Sequence, residues 1–240
     1  MIHVGGMREE KPVNVVEQAK RVLEIEIVNL QKVRDSLARG FADAVAVMLR
    51  ALEAQRKIVV TGVGKNLPIA EKISATMAST GSTSVVLHPS QALHGDLGML
   101  VGGDILLALS YSGETEELLA LVPPVKRMNV SLITMTGCPD SSLARLSDVV
   151  VPVTVEREAC PFNMAPTAST TAMLAVGDAL AMVLLKARGF EKEDYAKLHP
   201  GGSIGRTLLL KVSDIMRTGG RIACVHESDG IKDAVVAMTQ

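Results

Sequence analysis

Five short apolar segments recur between residues 57 and 155, and most of them are separated by stretches compatible with helices. Segments that are apolar on both faces are typical of the inner strands of a parallel sheet covered by helices. The sequence therefore predicts an α/β fold, a three-layer α/β/α sandwich with a five-stranded parallel sheet. The predicted strands are Lys57 to Val63, Thr83 to Leu87, Asp104 to Ser110, Val130 to Thr136 and Asp148 to Val155.

Two helices are predicted before the first strand. Apolar residues recur at steps of three and four from Leu23 to Leu37, which indicates a long amphipathic helix with one apolar face. A second helical pattern runs from Ala42 to Gln55. After Thr115, we expect a helix that kinks or restarts at Pro123 and Pro124, because proline lacks the amide donor and clashes with the preceding turn.

The segment from Ala165 to Leu185 is apolar enough to suggest a membrane span, but Asp178 lies near its middle. A central Asp costs about 2.5 to 3.5 kcal/mol on insertion scales. A buried core helix rich in small residues is therefore the favoured interpretation, and no contact with a membrane is expected.

The charges of the chain nearly cancel, with 25 Lys and Arg against 26 Asp and Glu. No nucleic-acid partner is expected from such a balance, and a small-molecule partner is favoured. The three cysteines stand at wide spacings without a CxxC pair, which favours a reducing compartment over a disulfide framework. The polar start of the sequence lacks the apolar core of a signal peptide, so a cytoplasmic location is expected.

The hexapeptide SYSGET, residues 110–115, follows the third predicted strand and opens a helix, where ligands bind in open parallel sheets. Hydroxyls of Ser110, Ser112 and Thr115 could contact a phosphate. Gly113 would allow close backbone approach, and the helix N-terminus would supply free amides. The alternative is an ordinary serine-capped helix start, but capping needs only one hydroxyl.

The sequence TGVGKN, residues 61–66, ends the first strand and resembles two nucleotide motifs without matching either. Walker A would require glycine where Val59 stands and Ser or Thr where Asn66 stands. The dinucleotide fingerprint would require glycine in place of Leu67. A sugar-phosphate role for Lys65 remains, and its alternative is a solvated lysine at a helix start.

Further polar residues follow a helix or a strand and are expected at the same ligand edge: Ser79 to Ser82, His88, and His94 to Asp96. A metal at His88 is the weaker interpretation, because no Cys or carboxylate spacing completes a HExxH or CxxC site. Hydrogen bonding to a substrate is favoured.

Ten motifs occur in an order that resembles the arabinose 5-phosphate isomerases of the sugar isomerase (SIS) fold. They are GxGK at 62–65, STG at 79–81, HGDLGM at 94–99, SxSGET at 110–115, MTG at 135–137, EACP at 158–161, APTxSTT at 165–171, GDALA at 177–181, ARGF at 187–190 and HPGG at 199–202. The resemblance covers residues 14 to 216 or so. Two positions depart from the family pattern, namely Asn66 in place of serine and Phe162-Asn163-Met164 in place of Leu-Gly-Leu.

The resemblance implies interconversion of D-arabinose 5-phosphate and D-ribulose 5-phosphate in the Kdo pathway of lipopolysaccharide synthesis, without a cofactor. It implies a homo-oligomer, dimer or tetramer, and a SIS domain over residues 1–210. Residues 211–240 resemble the truncated start of a cystathionine β-synthase (CBS) domain pair. The implied catalytic residues are Lys65, Glu117, Glu158 and His199. The implied substrate contacts are Gly64, Asn66, Thr80, Gly81, Ser82, His88, His94, Ser110, Ser112, Gly113 and Thr115.

Each catalytic candidate also has a structural alternative. Glu117 stands among acidic residues that would complement the dipole of a helix start, and His199 could do the same at a helix end. Glu158 could lie on a solvated strand face with Glu156. At the level of function, the alternatives are a non-catalytic sugar-phosphate sensor and a hydrolase, but neither a helix-turn-helix pattern nor a GxSxG elbow is present in the sequence.

Overall fold

The computed structural model describes residues 14–200, 211–219 and 222–239. The chain divides into two compact units, of which the first ends at Phe190 and the second begins at Glu191. The first unit contains the sheet and the helices that precede residue 191. The second contains α8 (Lys192–Leu198), α9 (Val212–Ile215) and α10 (Ile231–Thr239).

A five-stranded parallel sheet forms the centre of the first unit, as the sequence predicts. Its strands lie in the order β2-β1-β3-β4-β5. All four neighbouring pairs are parallel. The strands are β1 (Ile58–Gly62), β2 (Ser84–Val86), β3 (Ile105–Leu109), β4 (Ser131–Thr136) and β5 (Val149–Pro152).

Helices cover both faces of this sheet, which confirms the three-layer sandwich. Side chains alternate between faces along each strand, so Ile58 and Val60 of β1 point to one layer and Val59 to the other. The first layer contains α1 (Val15–Ser36), α2 (Arg39–Glu53), α3 (Asn66–Ser79) and α7 (Ala168–Ala187). The second contains α4 (Pro89–Ala92), α5 (Glu116–Arg127) and α6 (Ser142–Leu146). A short 3-10 helix spans Asp96–Met99.

Helix α7 lies in the core, which agrees with the interpretation of Ala165 to Leu185 as a buried helix. Its Gly177 packs against Ile73 of α3, where an added Cβ would lie 2.3 Å from the Ile73 side chain. Lys72 and Asp178 form a salt bridge between the same two helices. In the described part of the chain, α7 alone has the length and hydropathy of a membrane span, and half of that span is buried inside the protein.

Of the expected kink or restart at the proline pair, the restart is wrong. Helix α5 continues through Pro123 and Pro124 to Arg127, and the Met128 amide donates to the Pro124 carbonyl at 3.2 Å. Pro123 lies on the exposed side of the helix. Burial of Leu121, Val122 and Val125 in the core outweighs the lost amide donors in this structure, and tertiary packing therefore overrides the local preference.

Two buried or half-buried carboxylates hold the amino edge of the sheet. Asp104, just before β3, accepts hydrogen bonds from the backbone amides of Lys57 (3.1 Å) and Val101 (2.9 Å) and from the Lys57 ammonium group (2.6 Å). Asp148, just before β5, accepts from the Leu132 amide of β4 at 2.7 Å. Each carboxylate therefore fixes the start of a neighbouring strand.

Replacing Asp104 with Ala should lower the free energy of unfolding by about 3 kcal/mol, because it leaves two backbone donors and a partly buried ammonium group without their acceptor. Urea unfolding measures this change. Asp43→Ala is the control, because its pair with Arg39 is exposed and its loss should have no measurable effect. Equal effects in the two variants would contradict the role given to Asp104.

Candidate active site

The loops that leave the carboxyl ends of β1, β3 and β5 carry most of the predicted site residues. Ligands bind at this edge in open parallel sheets, because the loops there are free of strand pairing and helices begin there. Since β1 and β3 are neighbours, the TGVGKN and SYSGET loops lie side by side. The structure therefore brings these two motifs together, as expected from the sequence.

The SYSGET loop is a tight turn held by internal hydrogen bonds. The buried Ser110 hydroxyl bonds to Thr115 Oγ1 at 2.8 Å and accepts from the Gly113 amide at 3.0 Å. Gly113 has φ +65°, and an added Cβ would lie 1.9 Å from Ser141 Oγ, so only glycine fits. Ser112 is exposed. A direct phosphate contact by Ser110 stays a prediction, since its hydroxyl is already engaged.

The N-terminus of α5 follows this turn without a side-chain cap. Thr115 occupies the N-cap position, but its hydroxyl bonds to Ser110 and makes no capping hydrogen bond. The exposed Glu114 accepts from the Ser142 amide at 2.7 Å, which lowers the pKa of Glu114 and ties the turn to α6. The first amides of α5 are thus available to an anion, and the ordinary serine-capped alternative does not describe this turn.

The loop after β1 is built in a similar way. Gly62 packs against Asn66, and a Cβ added to Gly62 would lie 3.0 Å from the Asn66 backbone. Gly64 has φ +59°, and Lys65 occupies the N-cap position of α3 without a capping hydrogen bond. Lys65 is exposed at the carboxyl edge. Its ammonium group can therefore reach a ligand bound at this edge.

Glu158 lies at the N-terminus of α7, and its Oε2 atom accepts three hydrogen bonds. The donors are the Thr167 amide (2.7 Å), the Thr167 hydroxyl (3.0 Å) and the Ser169 amide (3.2 Å). The half-buried carboxylate therefore caps the helix, and the proposed solvated strand face is not observed. The Ser169 hydroxyl also contributes a hydrogen bond to this carboxyl group.

The pKa of Glu158 reflects two opposing effects. Burial raises it, but the hydrogen bonds donated by Ser169 and Thr167 outweigh burial, so the pKa is lowered from its ordinary value. The carboxylate is consequently ionised at neutral pH. An ionised carboxylate at a helix N-terminus is also favoured by the helix dipole.

Tyr111 is a site residue that the sequence analysis did not single out. Its hydroxyl donates to the Val155 carbonyl and accepts from the Val155 amide, both at 3.2 Å. Burial raises the pKa of Tyr111, and the negative charge of Glu158 adds to this effect. Tyr111 thus ties the SYSGET loop to the segment after β5, a long-range pairing that no local pattern reveals.

A cavity of about 320 Å³ joins these elements. Lys65 and Asn66 line it from the loop after β1, Tyr111 from the SYSGET loop, and Glu158 from the segment after β5. Asn163 and Met164, at the position where the sequence departs from the family pattern, line it as well. Two of the four predicted catalytic residues, Lys65 and Glu158, therefore share one cavity.

Glu117, His88 and His94, also predicted at the carboxyl edge, do not line this cavity. Glu117 stands in the first turn of α5, exposed to solvent. His88 caps α4 after β2, where its Nδ1 accepts from the Ser90 amide at 3.2 Å. His94 is exposed on the loop before the 3-10 helix. The roles of all three residues stay predictions.

The STGS segment does not lie at the ligand edge, so this expectation is wrong. Helix α3 starts at the carboxyl edge and its 14 residues extend about 21 Å to the opposite edge, where Thr80, Gly81 and Ser82 precede β2. Thr80 donates its hydroxyl to the last turn of α3, and Ser82 is fully buried. Their contact with substrate stays a prediction.

His199 belongs to the second unit. It occupies the C-cap position of α8, where its ring stacks on Tyr195 with centroids 4.0 Å apart and its Nδ1 lies 2.9 Å from the Tyr195 carbonyl oxygen. This is the position that the helix-dipole alternative assigns, and its catalytic role stays a prediction. Within residues 14–200, 211–219 and 222–239, no group of three His, Cys, Asp or Glu side chains is arranged to hold a metal.

Comparison with known proteins identifies this architecture. The model of the SIS domain family matches residues 51–183, so the fold and its carboxyl-edge site define a SIS domain protein. Arabinose 5-phosphate isomerase KdsD of Escherichia coli O6:H1 is 48% identical over 224 residues, which are 93% of this chain and 67% of the relative. KdsD of Francisella tularensis is 41% identical over 224 residues, which are 93% of this chain and 68% of that relative.

A solved structure agrees with these sequence relatives. An Escherichia coli CFT073 protein in complex with arabinose 5-phosphate superposes with a TM-score of 0.75 at 38% identity, covering 80% of this chain and all of that one. The chain belongs to the arabinose 5-phosphate isomerase family of SIS domain proteins, which confirms the resemblance seen in the sequence.

The lowered pKa of Glu158 predicts a pH-dependent contribution to stability. A carboxyl group with a depressed folded pKa stabilises fully above its unfolded pKa of about 4.3 and loses this contribution as pH falls through the folded value. Glu158→Gln should therefore be less stable than wild type at pH 7, and the difference should shrink below about pH 4. Urea unfolding at several pH values measures it. A difference that does not change with pH would contradict the charged cap.

Proposed function

We propose that the chain isomerises D-arabinose 5-phosphate to D-ribulose 5-phosphate and the reverse. The observation that carries this proposal is the cavity lined by Lys65, by Glu158 and by Tyr111 of the SYSGET segment. The turn offers a phosphate the uncapped amides of α5 and the Ser112 hydroxyl. A cation and a carboxylate then stand next to the bound phosphate, as an aldose-ketose isomerisation requires.

The proposed reaction moves one proton between neighbouring carbons of the open-chain sugar. Glu158, through its Oε1 atom, takes the proton from C2 of the aldose and returns it to C1, while the O2 proton passes to O1. Lys65 stabilises the negative charge of the enediolate oxygen. Glu117 and His199 are proposed to help with proton transfer at the oxygens and with ring opening. The scheme uses no cofactor.

The wider setting of the reaction is also a proposal. The relatives carry the name arabinose 5-phosphate isomerase KdsD, which supports a place in Kdo and lipopolysaccharide synthesis. A cytoplasmic location is proposed from the sequence alone. The apolar segments and turns of residues 211–240 favour a domain boundary near residue 210 followed by the beginning of a CBS pair, whereas the compact units of the structure divide between Phe190 and Glu191.

Wild-type protein should convert D-arabinose 5-phosphate to D-ribulose 5-phosphate and exchange the C1 proton of the ketose with solvent deuterium. Binding of the ketose without such exchange would leave a non-catalytic sensor and overturn the isomerase proposal. Two variants separate binding from chemistry. Ser112→Ala removes a charged hydrogen bond of about 1.5 to 3 kcal/mol, so substrate affinity should fall about tenfold or more with less change in turnover.

Glu158→Gln keeps the shape of the side chain but removes the base, so turnover should fall about 100-fold or more while phosphate affinity is retained. Glu53→Gln, an exposed change at the end of α2, is the matched control. Steady-state kinetics of the three variants measure these effects. Equal losses of affinity and turnover in Ser112→Ala and Glu158→Gln would contradict the division of roles.

We infer that the protein forms a homo-oligomer, either a dimer or a tetramer. Leu23 and Ile27, from the predicted apolar face of α1, are 59% and 47% exposed in the single chain, although Val33 of the same face is buried. A contiguous apolar helix face of this kind is typical of an interface.

Light scattering at micromolar concentration should give a mass of at least twice 25.4 kDa. Leu23→Glu combined with Ile27→Glu should shift the protein toward the monomer, because it places charges on the apolar face. The control is Glu24→Gln, a neighbouring exposed position. A monomer of wild-type protein would contradict this inference.

A further inference from the structure

A second cavity, of about 530 Å³, is lined by α1 and by residues 157–161 of the segment after β5. Its volume falls within the range of small-molecule sites, about 300 to 1,000 Å³. Of the residues that line it, the proposed reaction uses Glu158 alone. The cavity is therefore a candidate site for a ligand other than the substrate.

Two arginines give this cavity a positive character. Arg21 of α1 and Arg157 both line it, and neither forms an ion pair with a carboxylate of residues 14–200. Glu158 lines it as well, but its negative charge is compensated by the amides at the start of α7. Guanidinium groups bind carboxylates and phosphates through two parallel hydrogen bonds. The cavity is thus suited to an anion with at least two acceptor oxygens, and we call it the Arg21–Arg157 cavity.

The rest of the lining limits what such an anion can carry. Val22, Ile25, Ala159 and Pro161 are apolar, and Gln18 adds an uncharged amide. No aromatic ring of the described residues lines the cavity, so a nucleotide base would find no stacking partner there. A compact molecule with a phosphate or carboxylate group and a small uncharged remainder therefore fits this lining better than a nucleotide.

The Arg21–Arg157 cavity lies on a different side of α1 from the proposed oligomer interface. Arg21 and Ile25 are four residues apart, so they share one face of the helix. Leu23 and Ile27 each follow two residues later, which is about 200° around the helix. Association through Leu23 and Ile27 therefore does not require the cavity to be filled by a partner.

Arg157 and Glu158 line this cavity and the candidate active site alike. An anion bound to the Arg157 guanidinium would offset a positive charge beside the candidate active site, so the attraction of that site for a substrate phosphate should weaken. Lys65 lines only the active-site cavity of the two, and its charge would remain. The expected effect is a higher KM with little change in kcat.

We propose that the Arg21–Arg157 cavity binds a small organic oxyanion, a phosphate or a carboxylate, as an effector that weakens substrate binding. The binding of the anion does not depend on the reaction that the protein catalyses. The effect on KM rests on the proposed function.

The reactivity of Cys160 reports on this cavity without using activity. Cys160 lines the Arg21–Arg157 cavity but not the candidate active site. Hydrogen bonds from the backbone amides of Ala165 and Met164 lower the pKa of its thiol, and the thiolate is the form that reacts with iodoacetamide. Cys138 and Cys224 are exposed and serve as internal references. Mass spectrometry of the digested protein measures the three alkylation rates separately.

Pyrophosphate and citrate are the probes, because they share oxyanion groups but represent the phosphate and carboxylate sources. At millimolar concentration, at least one of them should slow the alkylation of Cys160 about fivefold or more relative to sodium chloride of equal ionic strength. The rate at Cys138 should not change. The more protective probe identifies the source, and protection by neither would overturn the proposal.

Arg21→Gln removes one guanidinium group, so the concentration of the probe that gives half-maximal protection should rise about tenfold or more. Arg34→Gln is the matched control, because Arg34 lies on the same helix, is exposed and pairs with Asp35. This control should be protected like wild type. Equal protection in Arg21→Gln and wild type would contradict the assigned site.

Steady-state kinetics test the effector role. The protective probe should raise the KM for D-arabinose 5-phosphate about threefold or more in wild type and in Arg34→Gln, but not in Arg21→Gln. An equal rise in Arg21→Gln would place the anion in the substrate site, and protection without any rise would exclude an effector, so both outcomes overturn the proposal. Wild-type protein that is protected at Cys160 but fails to isomerise the sugar would instead overturn the proposed function.

Discussion

The capping of α7 by Glu158 links the core of the protein to its candidate site. One carboxylate oxygen accepts the Thr167 and Ser169 amides, which are donors that a helix start cannot satisfy within the helix itself. Helix α7 is also packed against the core through Gly177 and its neighbours. A side chain bound to the first turn of such a helix is held in place by the core, although Arg157 and Glu158 line two cavities.

The two edges of the sheet differ in how their backbone amides are satisfied. At the amino edge, Asp104 and Asp148 accept the first amides of neighbouring strands, so polar backbone groups are satisfied within the protein. At the carboxyl edge, α3 and α5 begin without side-chain caps. The stabilising carboxylates and the uncapped helix starts therefore lie at opposite edges of the sheet, and the free amides that favour a bound anion lie at the carboxyl edge.

Sequence patterns predicted the strands and the two glycine-containing loops because these features depend on neighbouring residues. The apolar run of β1 and the turn at Gly113 are local properties of the chain. The contacts of Tyr111 with Val155 and of Asn29 with Glu156 join residues far apart in sequence, so no local pattern contains them. The wrong placement of Thr80 to Ser82 at the ligand edge has a similar cause. A position next to a strand does not by itself show whether a residue lies at the amino or the carboxyl edge of the sheet.

A carboxylate that accepts three hydrogen bonds is a weaker base than a free one, and this constrains the proposed chemistry. The bonds that fix Glu158 also lower its pKa, so it is ionised at neutral pH but has less affinity for a carbon-bound proton. The C–H group of the substrate that loses its proton must then be made more acidic by its surroundings. Lys65 lines the same cavity, and a cation beside the enediolate oxygen would do so by stabilising the charge left when the proton departs. Rigid positioning of the base and electrostatic stabilisation of the intermediate therefore depend on each other in this site.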